Sequence, residues 1–395
     1  MDLNYSPEEQ AFREEVRAWL HASIPPALKD KVARYASLSR EDVMGWHRTL
    51  ARKGWIAPGW PVEHGGTGWN AVRRYIFEEE CGYAGAPTLP GLGLMMCGPV
   101  LIRYGTPEQK ARFLPGIYHG EDFWCQGYSE PGAGSDLASL KTRAVRDGDE
   151  YVVTGQKAWT TQAHWANWMF CLARTAPGGK PQEGISFLLI DMASPGITVR
   201  PVMLMDGGHE VNEVFLDEVR VPAENLVHHE GEGWTVAKYL LGYERLNSGR
   251  VALSRRQLEA LREFAGRQEA AGRPLLEDPR FVDRLTRIEV ELAALEITNL
   301  RFLDQMRKTG KPPGPEVSLL KIVGSGIQQQ ISELMMDAAG PLMQRKGPLP
   351  GDSFSELDAF IAALAPRYMN LRKTTIYGGS DEIQRNILAR MRLGL

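Results

Sequence analysis

Between residues 281 and 306, apolar residues recur at alternating four- and three-residue steps. This spacing puts them on one face of a long α-helix, with a single polar interruption. The stripe consists of Phe281, Leu285, Ile288, Leu292, Leu295, Asn299, Phe302 and Met306. Such a stripe needs partner helices to cover it, and helical patterns are also predicted at about 316–338, at about 353–372 and after Ser380. The last part of the chain is therefore predicted to form a helix bundle.

Capping boxes open three predicted helices in the first part of the chain. In this pattern an N-cap hydroxyl is followed three residues later by an acidic or amide side chain. The N-cap residues are Ser6, Ser39 and Thr106, and Gly54 is expected to end the second helix. Residues 1–120 are therefore predicted to form an N-terminal helical domain.

Short apolar runs divided by turn residues fill the middle of the chain. Asp147-Gly148-Asp149 separates two of these runs and indicates a β-hairpin. Further strands are predicted at Trp168–Ala173, Ile185–Ile190, Ile197–Arg200 and Val214–Leu216. No crossover helices interrupt them, which favours an antiparallel sheet or barrel. The predicted fold is α+β multidomain, with a β-domain at 121–232 and a helical domain at 233–395.

Composition excludes several classes of protein. The 395 residues are 43% hydrophobic and carry a net charge of −3, so no nucleic-acid partner is expected. No apolar run reaches the length of a membrane span, and the acidic start lacks a signal-peptide pattern. The four cysteines are widely spaced, without metal-binding pairs. We therefore expect a cytoplasmic protein with no membrane segment and no metal site.

The stretch 126–136, Gln-Gly-Tyr-Ser-Glu-Pro-Gly-Ala-Gly-Ser-Asp, follows an apolar run that predicts a strand. Gly132 and Gly134 allow close approach of a ligand to the backbone, and Ser129 and Ser135 add hydroxyl groups. Taken alone, such a loop is more often ordinary turn chemistry. A second stretch, 155–161, supplies a flat aromatic face and two hydroxyls that together suit an aromatic redox ring: Trp159, Thr160 and Thr161. A lone tryptophan is more often part of a core.

Two further features are candidates for chemistry in the C-terminal half. Tyr377-Gly378-Gly379-Ser380 precedes a helix N-terminus, which suits a phosphate or polarised carbonyl but also fits an ordinary capped helix. Glu244 lies on one predicted helical face with Trp234, Ala237, Leu241, Ser248 and Val251. A carboxylate there is either functional or part of a structural ion pair. Arg245, next in sequence, would not face it on a helix.

These pieces, in this order, resemble the acyl-CoA dehydrogenase family over essentially the whole chain. Its signatures are similar to Gly-Tyr-Ser-Glu-Pro-Gly-Ala-Gly-Ser-Asp at 127–136, Gly-Gln-Lys-Ala-Trp-Thr-Thr at 155–161 and Ile-Tyr-Gly-Gly-Ser-Asp-Glu-Ile-Gln-Arg at 376–385. The resemblance implies an N-terminal helical domain, a middle β-barrel and a C-terminal four-helix bundle, with FAD as cofactor. It also implies an oxidoreductase of fatty acid metabolism that removes hydrogen across the α,β-bond of an acyl-CoA thioester and passes electrons to an electron-transfer flavoprotein.

The resemblance also assigns residues to sites. The residues it places at FAD are Gln126, Tyr128, Ser129, Gly134, Ser135, Trp159, Thr160, Thr161 and Ser380. Those it places at the acyl-CoA substrate are Ser135, Arg245, Tyr377 and Gly378. Many members carry the catalytic glutamate where this chain has Gly378. The isovaleryl and long-chain branches place it on a helix before an arginine, and Tyr243-Glu244-Arg245 matches them. Glu244 is therefore the expected base.

Subunit composition is the last expectation. The family's Arg-x-x-Phe-Gly segment is absent from residues 264–274, and Asp337 stands where a flavin-binding glutamine belongs. The chain resembles the large subunit of bacterial α2β2 dehydrogenases that act on dicarboxylic or steroid side-chain thioesters. A homotetramer using Arg267 or Arg273 is the alternative. Two other functions stay open: a same-fold oxidase or monooxygenase, and a non-catalytic, nucleic-acid-associated member.

Overall fold

The computed structural model describes residues 4–243, 249–309, 314–344 and 355–395, which form two compact units. The first, here the helical unit, takes its described residues from Met1–Leu38, Trp69–Pro87 and Arg245–Leu395. The second, here the sheet unit, takes them from Ser39–Gly68 and Thr88–Glu244.

The described α-helices, in chain order, are α1 Pro7–Ser23, α2 Pro26–Ala33, α3 Arg40–Lys53, α4 Ala71–Ala84, α5 Gly98–Tyr104, α6 Pro107–His119, α7 Gly233–Tyr243, α8 Val251–Ala265, α9 Pro279–Thr309, α10 Ser318–Ala339, α11 Glu356–Leu371 and α12 Asp381–Leu388. The strands are β1 Trp124–Gly127, β2 Arg143–Asp147, β3 Glu150–Thr161, β4 Trp168–Arg174, β5 Ile185–Asp191, β6 Ile197–Met203, β7 His209–Pro222, β8 Leu226–Val227, β9 Glu269–Ala270 and β10 Arg273–Pro274. None of the helices in these ranges is long and apolar enough to cross a membrane.

The predicted capping boxes are confirmed. The Ser6 side chain accepts a hydrogen bond from Glu9 N, while the Glu9 carboxylate accepts one from Ser6 N at 2.9 Å. Ser39 and Thr106 make the equivalent pairs at α3 and α6. Gly54 ends α3 in the left-handed conformation, with φ of +78°. These signals are local, so the sequence alone located the helix starts.

In the helical unit, the apolar stripe of α9 is buried from Phe281 to Phe302, and α9 packs against α4, α8 and α10. Helix α4 packs on α8 at a close approach, because a Cβ on Gly82 would lie 2.8 Å from the Cβ of Ala252. Glu80 of α4 is buried and accepts hydrogen bonds from Arg13 and Arg17 of α1. Three separate stretches of chain therefore build one unit.

One prediction about helices α7 and α8 is wrong. The face through Glu244 was expected to continue along a single helix to Val251. Arg250 has φ of +46° and α8 begins at Val251, so the helix that carries Trp234 does not run unbroken to Val251. A left-handed residue cannot continue a right-handed helix.

The sheet unit contains eight strands in the order β6-β7-β3-β2-β4-β5-β8, with β1 paired to β4. The predicted hairpin joins β2 to β3, and most pairs are antiparallel. Strand β1 instead runs parallel to β4, with Trp124 opposite Trp168. Strand β2 also pairs with β4 in parallel, at Arg143 and Arg174. The expectation of an antiparallel sheet is thus wrong at β1 and β2, where the chain between β1 and β4 crosses over through the β2–β3 hairpin and not through a helix.

Candidate functional site

The loop after β1 contains a tight turn, followed by polar residues that are exposed. Glu130 N donates to the Ala133 carbonyl at 2.9 Å, and Ala133 N donates back to the Glu130 carbonyl at 3.0 Å. Gly134 and Ser135 beyond this turn are exposed. A Cβ on Gly132 or Gly134 would meet no described atom within 4 Å. The protein's own packing therefore does not require glycine at these positions, which leaves room for a ligand.

The two residues before this turn differ in exposure. Tyr128 is buried and its ring meets Phe170 edge-on, with centroids 5.7 Å apart. Ser129 is half-buried, and its carbonyl accepts a hydrogen bond from Ala158 N at 2.8 Å. Gln126 is half-buried at the end of β1. The bond from Ala158 ties the first candidate stretch to the second.

Trp159 sits on an irregularity of β3. The register of β3 against β7 shifts between Lys157 and Thr160, and Trp159 has φ of +59°. A non-glycine residue in this left-handed region costs about 1 kcal/mol or more. The Trp159 side chain is 63% exposed, so the interpretation as core is wrong. The backbone strain turns a large flat ring outward beside the loop of Ser129.

Thr160 supplies the clearest unmet hydrogen-bonding capacity of the stretch. Its hydroxyl is buried and has no hydrogen-bond partner among the described residues. Buried hydroxyls are usually paired, so an orphan beside an exposed aromatic ring fits a polar-edged ligand. Thr161 ends β3 and is half-buried. The residues present therefore fit the edge and face of a flavin ring.

A side-chain network behind Thr160 was not foreseen from the sequence. Buried Asn212 donates from Nδ2 to the Thr160 carbonyl at 3.0 Å and contacts His164 Nδ1 at 3.1 Å. His209 Nε2 lies 2.7 Å from Asn212 Oδ1, and the two imidazole rings stack 4.0 Å apart. Burial, followed by the nearby His209, lowers the pKa of His164. No local signal links residues so far apart in sequence.

The C-terminal candidates lie in the helical unit. Ser380 caps α12 by accepting from Ile383 N at 3.4 Å, as predicted. Gly378 and Gly379 have φ of +66° and +79°, a conformation that favours glycine. The Tyr377 side chain is 48% exposed. This stretch therefore presents an aromatic side chain and a conformationally special backbone ahead of a helix N-terminus.

Glu244 and Arg245 lie outside the described residues. The other candidates fall in two groups. The sheet unit carries Gln126, Tyr128, Ser129, Gly134, Ser135, Trp159, Thr160 and Thr161. The helical unit carries Tyr377, Gly378 and Ser380. In the described parts of the chain, no cluster of three His, Cys, Asp or Glu side chains could hold a metal ion.

Three family descriptions match consecutive parts of the chain. They are the N-terminal domain of acyl-CoA dehydrogenase at residues 6–121, its middle domain at 125–219 and its C-terminal domain at 231–393. The chain belongs to the acyl-CoA dehydrogenase family, a family of oxidoreductases. The resemblance and the α+β fold inferred from the sequence, with helical parts on either side of a middle β-sheet domain in sequence, are thereby confirmed.

Individual relatives agree with this assignment. The chain is 38% identical to acyl-CoA dehydrogenase IpdE1 of Mycobacterium tuberculosis, covering 98% of this chain and 97% of that protein. Among solved structures it is similar to a chain of the ChsE4-ChsE5 complex from Mycobacterium tuberculosis, at 32% identity and a TM-score of 0.83, covering 100% and 99% of the two chains. It is also similar to the Tcur3481-Tcur3483 steroid ACAD, at 28% identity and a TM-score of 0.85, with the same coverage.

Proposed function

We propose that this chain is the base-bearing subunit of an FAD-dependent acyl-CoA dehydrogenase that forms an α,β-double bond in an acyl-CoA thioester. The observation that carries the proposal is the outward-facing ring of Trp159 beside the unpaired Thr160 hydroxyl, in a chain of this family. Members of the family generally bind FAD, and bound FAD would supply the acceptor for the hydride that leaves the β-carbon.

The chain's own residues would provide binding and proton transfer. The Trp159 face and the Thr160 hydroxyl would hold the flavin ring. Ser129 lies close to them, because its carbonyl accepts a hydrogen bond from the N–H of Ala158, the residue before Trp159. We propose that Glu244 takes the α-proton as general base. The α-proton of a thioester is weakly acidic, so the charge that develops on the carbonyl oxygen needs a donor. The backbone N–H of Gly378 is the proposed donor.

Gly378 also supports the assignment of the base. Its φ of +66° favours glycine, and a Cβ there would meet no described atom within 4 Å. The position can therefore lack a side chain without leaving a packing defect. In the Glu244→Gln background, adding Gly378→Glu would return a carboxylate to the position that many relatives use. We expect partial recovery of turnover, with a cost from the backbone strain.

The test uses the flavin-retaining protein, either the chain alone or the chain co-purified with its homologous partner, and a panel of acyl-CoA thioesters under anaerobic conditions. The panel includes a thioester with a steroid side chain, because one similar structure is described as a steroid ACAD. Bleaching of the flavin absorbance identifies a substrate. Glu244→Gln should retain FAD and slow bleaching by at least ~10²–10⁴-fold. Bleaching at the wild-type rate in that variant would refute the assignment of the base.

The same experiment separates the alternatives. A dehydrogenase should be reoxidised by an electron-transfer flavoprotein, whereas an oxidase or monooxygenase should be reoxidised by oxygen at a comparable or faster rate. A non-catalytic member should show no bleaching with any thioester.

We also propose that the chain works in a heterotetramer with a homologous partner. Two similar structures carry paired names, and one of them is described as a complex. Asp337 pairs with Arg284, and Arg267 pairs with Glu263, so both side chains are engaged within this chain. Purifying the chain alone and counting flavin tests the idea. One FAD per chain in an active homotetramer would refute the partner, whereas flavin retained only on co-purification with a homologue supports it.

A further inference from the structure

Lys157 and Glu130 form a buried ion pair inside the sheet unit. Lys157 is 0% exposed and Glu130 is 8% exposed, and the Lys157 Nζ to Glu130 Oε1 distance is 2.9 Å. Neither residue was assigned a role by the sequence patterns. A lysine in the middle of a strand is ordinarily solvated, so its complete burial calls for a physical reason.

The pair is extensively hydrogen-bonded. Lys157 Nζ also donates to the carbonyls of Leu172 at 2.8 Å and Tyr128 at 3.3 Å. Glu130 accepts from Lys141 N at 2.7 Å and from Thr142 N at 2.9 Å. These bonds join four segments: the loop after β1, the approach to β2, and strands β3 and β4.

Electrostatics favour the charged form of the carboxylate. Burial alone would raise the pKa of Glu130. The Lys157 charge and the hydrogen bonds from Thr142 and Lys141 outweigh burial, and the pKa is lowered. The Glu130 carboxylate is therefore favoured in its ionised form.

A gain in the free energy of unfolding does not explain why a buried ion pair is present here. Replacing a buried ion pair by apolar side chains of similar volume is often neutral or stabilising. Apolar side chains, however, cannot make directed bonds to the Tyr128 and Leu172 carbonyls or to the Lys141 and Thr142 amides. What the charged pair adds is a fixed position for these backbone segments.

The backbone segments that the ion pair holds lie next to Trp159, the strained residue of β3. Lys157 is the last residue before the β3–β7 register shift, and Trp159 follows two residues later. Lys157 holds the Tyr128 carbonyl, while the adjacent Ser129 carbonyl accepts from Ala158 N. Two neighbouring bonds thus tie the loop to β3 where the backbone turns left-handed.

We infer that the Glu130–Lys157 pair is a positioning clamp that holds the loop of residues 126–136 against β3 and keeps Trp159 in its strained, outward-facing conformation. This inference rests on the proposed function, because it assigns the clamp to flavin binding. Neither residue contacts the proposed ligand; both act through the backbone.

The test compares Lys157→Met and Glu130→Gln with the wild-type chain. Hydrogen exchange in the apo-protein reports on the clamp without cofactor. Amides of residues 155–162 should exchange at least ~10-fold faster in both variants, as expected for the loss of charge-assisted hydrogen bonds, while those of β5 remain protected. FAD affinity, measured per folded molecule, should fall by a similar factor.

Arg220→Met is the matched control. Arg220 lies on β7 and pairs with Asp147 and Glu150 at an exposed edge of the same strands. This variant should leave exchange at 155–162 and FAD affinity unchanged. If Lys157→Met does not fold, Glu130→Gln, which preserves side-chain volume, carries the same expectation.

The experiment distinguishes failure of the clamp from failure of the proposed function. A wild-type chain that binds no flavin, alone or with a partner, overturns the proposed function. A wild-type chain that binds FAD while the folded variants bind it equally well overturns the clamp. Faster exchange spread evenly over β3, β4 and β5 would show a merely structural pair and would also overturn it.

Discussion

Glu79 gives the structure's sharpest prediction about stability. It lies on α4, and its carboxylate accepts a hydrogen bond from Ala252 N, in the first turn of α8, at 3.3 Å. Burial raises the pKa of Glu79 from 4.5 to about 7. The Ala252 N–H opposes this rise, Glu296 adds to it, and Arg255 opposes it weakly. Among the residues that the structure describes, the other titratable groups that interact with it are Tyr5, Tyr75, Tyr83 and Glu78.

The sign and size of the effect follow from proton linkage. Between the unfolded pKa of 4.5 and the folded pKa of about 7, the folded protein binds more protons at Glu79 than the unfolded chain does. The free energy of unfolding therefore falls as the pH rises through this window. At about 1.4 kcal/mol per pKa unit, a rise of roughly 2.5 pKa units corresponds to a total loss of about 3.5 kcal/mol. Glu79→Gln removes this pH dependence and keeps an oxygen for Ala252 N.

Urea denaturation at pH 5.5 and pH 8.5 measures the effect. The quantity of interest is the variant-minus-wild-type free energy of unfolding, because any constant cost of the amide cancels between the two pH values. This difference should move in favour of Glu79→Gln by about 2 kcal/mol on going to pH 8.5, because the rest of the effect lies below pH 5.5. The control is Glu15→Gln, at an exposed position on α1, for which the difference should not move. A pH-independent difference for Glu79→Gln would refute the buried-acid interpretation.

Two further predictions concern strain and packing. Trp159→Gly should relieve the left-handed strain, leaving the free energy of unfolding unchanged or raised by about 1 kcal/mol, while FAD affinity falls. Loss of stability with unchanged affinity in a titration would contradict the proposed ring contact. Gly82→Val should cost about 1–3 kcal/mol because α4 must move away from Ala252. Gly326→Ala on α10, where a Cβ meets no described atom within 4 Å, should show no such cost in the same urea assay.

Elements with local signals were predictable from the sequence. The capping boxes at Ser6, Ser39 and Thr106 and the stripe of α9 each involve residues within one helix. The β2–β3 hairpin was equally local, since its turn residues stand between its strands. The family signatures were also contiguous, and they identified the family from short stretches of sequence.

Elements that depend on distant partners were not predictable. Helix α4 carries three consecutive acidic residues, and the arginines that pair with Glu80 lie on α1. Strands β3 and β7 extend well past their apolar runs because each supplies the other with hydrogen bonds along most of its length. The exposure of Trp159 follows from a register shift between these strands, which no local pattern encodes. The residues of the site could thus be predicted from the sequence, but the backbone conformation that exposes Trp159 could not.

Because the helical unit is built from three separate segments of the chain, its parts become available for packing one after another during synthesis on the ribosome. When α4 emerges, Arg13 and Arg17 are already available to Glu80, but Ala252 is 170 residues away in the chain. At roughly 5–20 residues per second, the face of α4 that carries Gly82 waits on the order of 10–30 s for α8. A chain released before α8 is made would leave this face of α4 exposed, and chaperones or proteases would bind it. The first 120 residues should therefore not persist as a free-standing fragment in the cell.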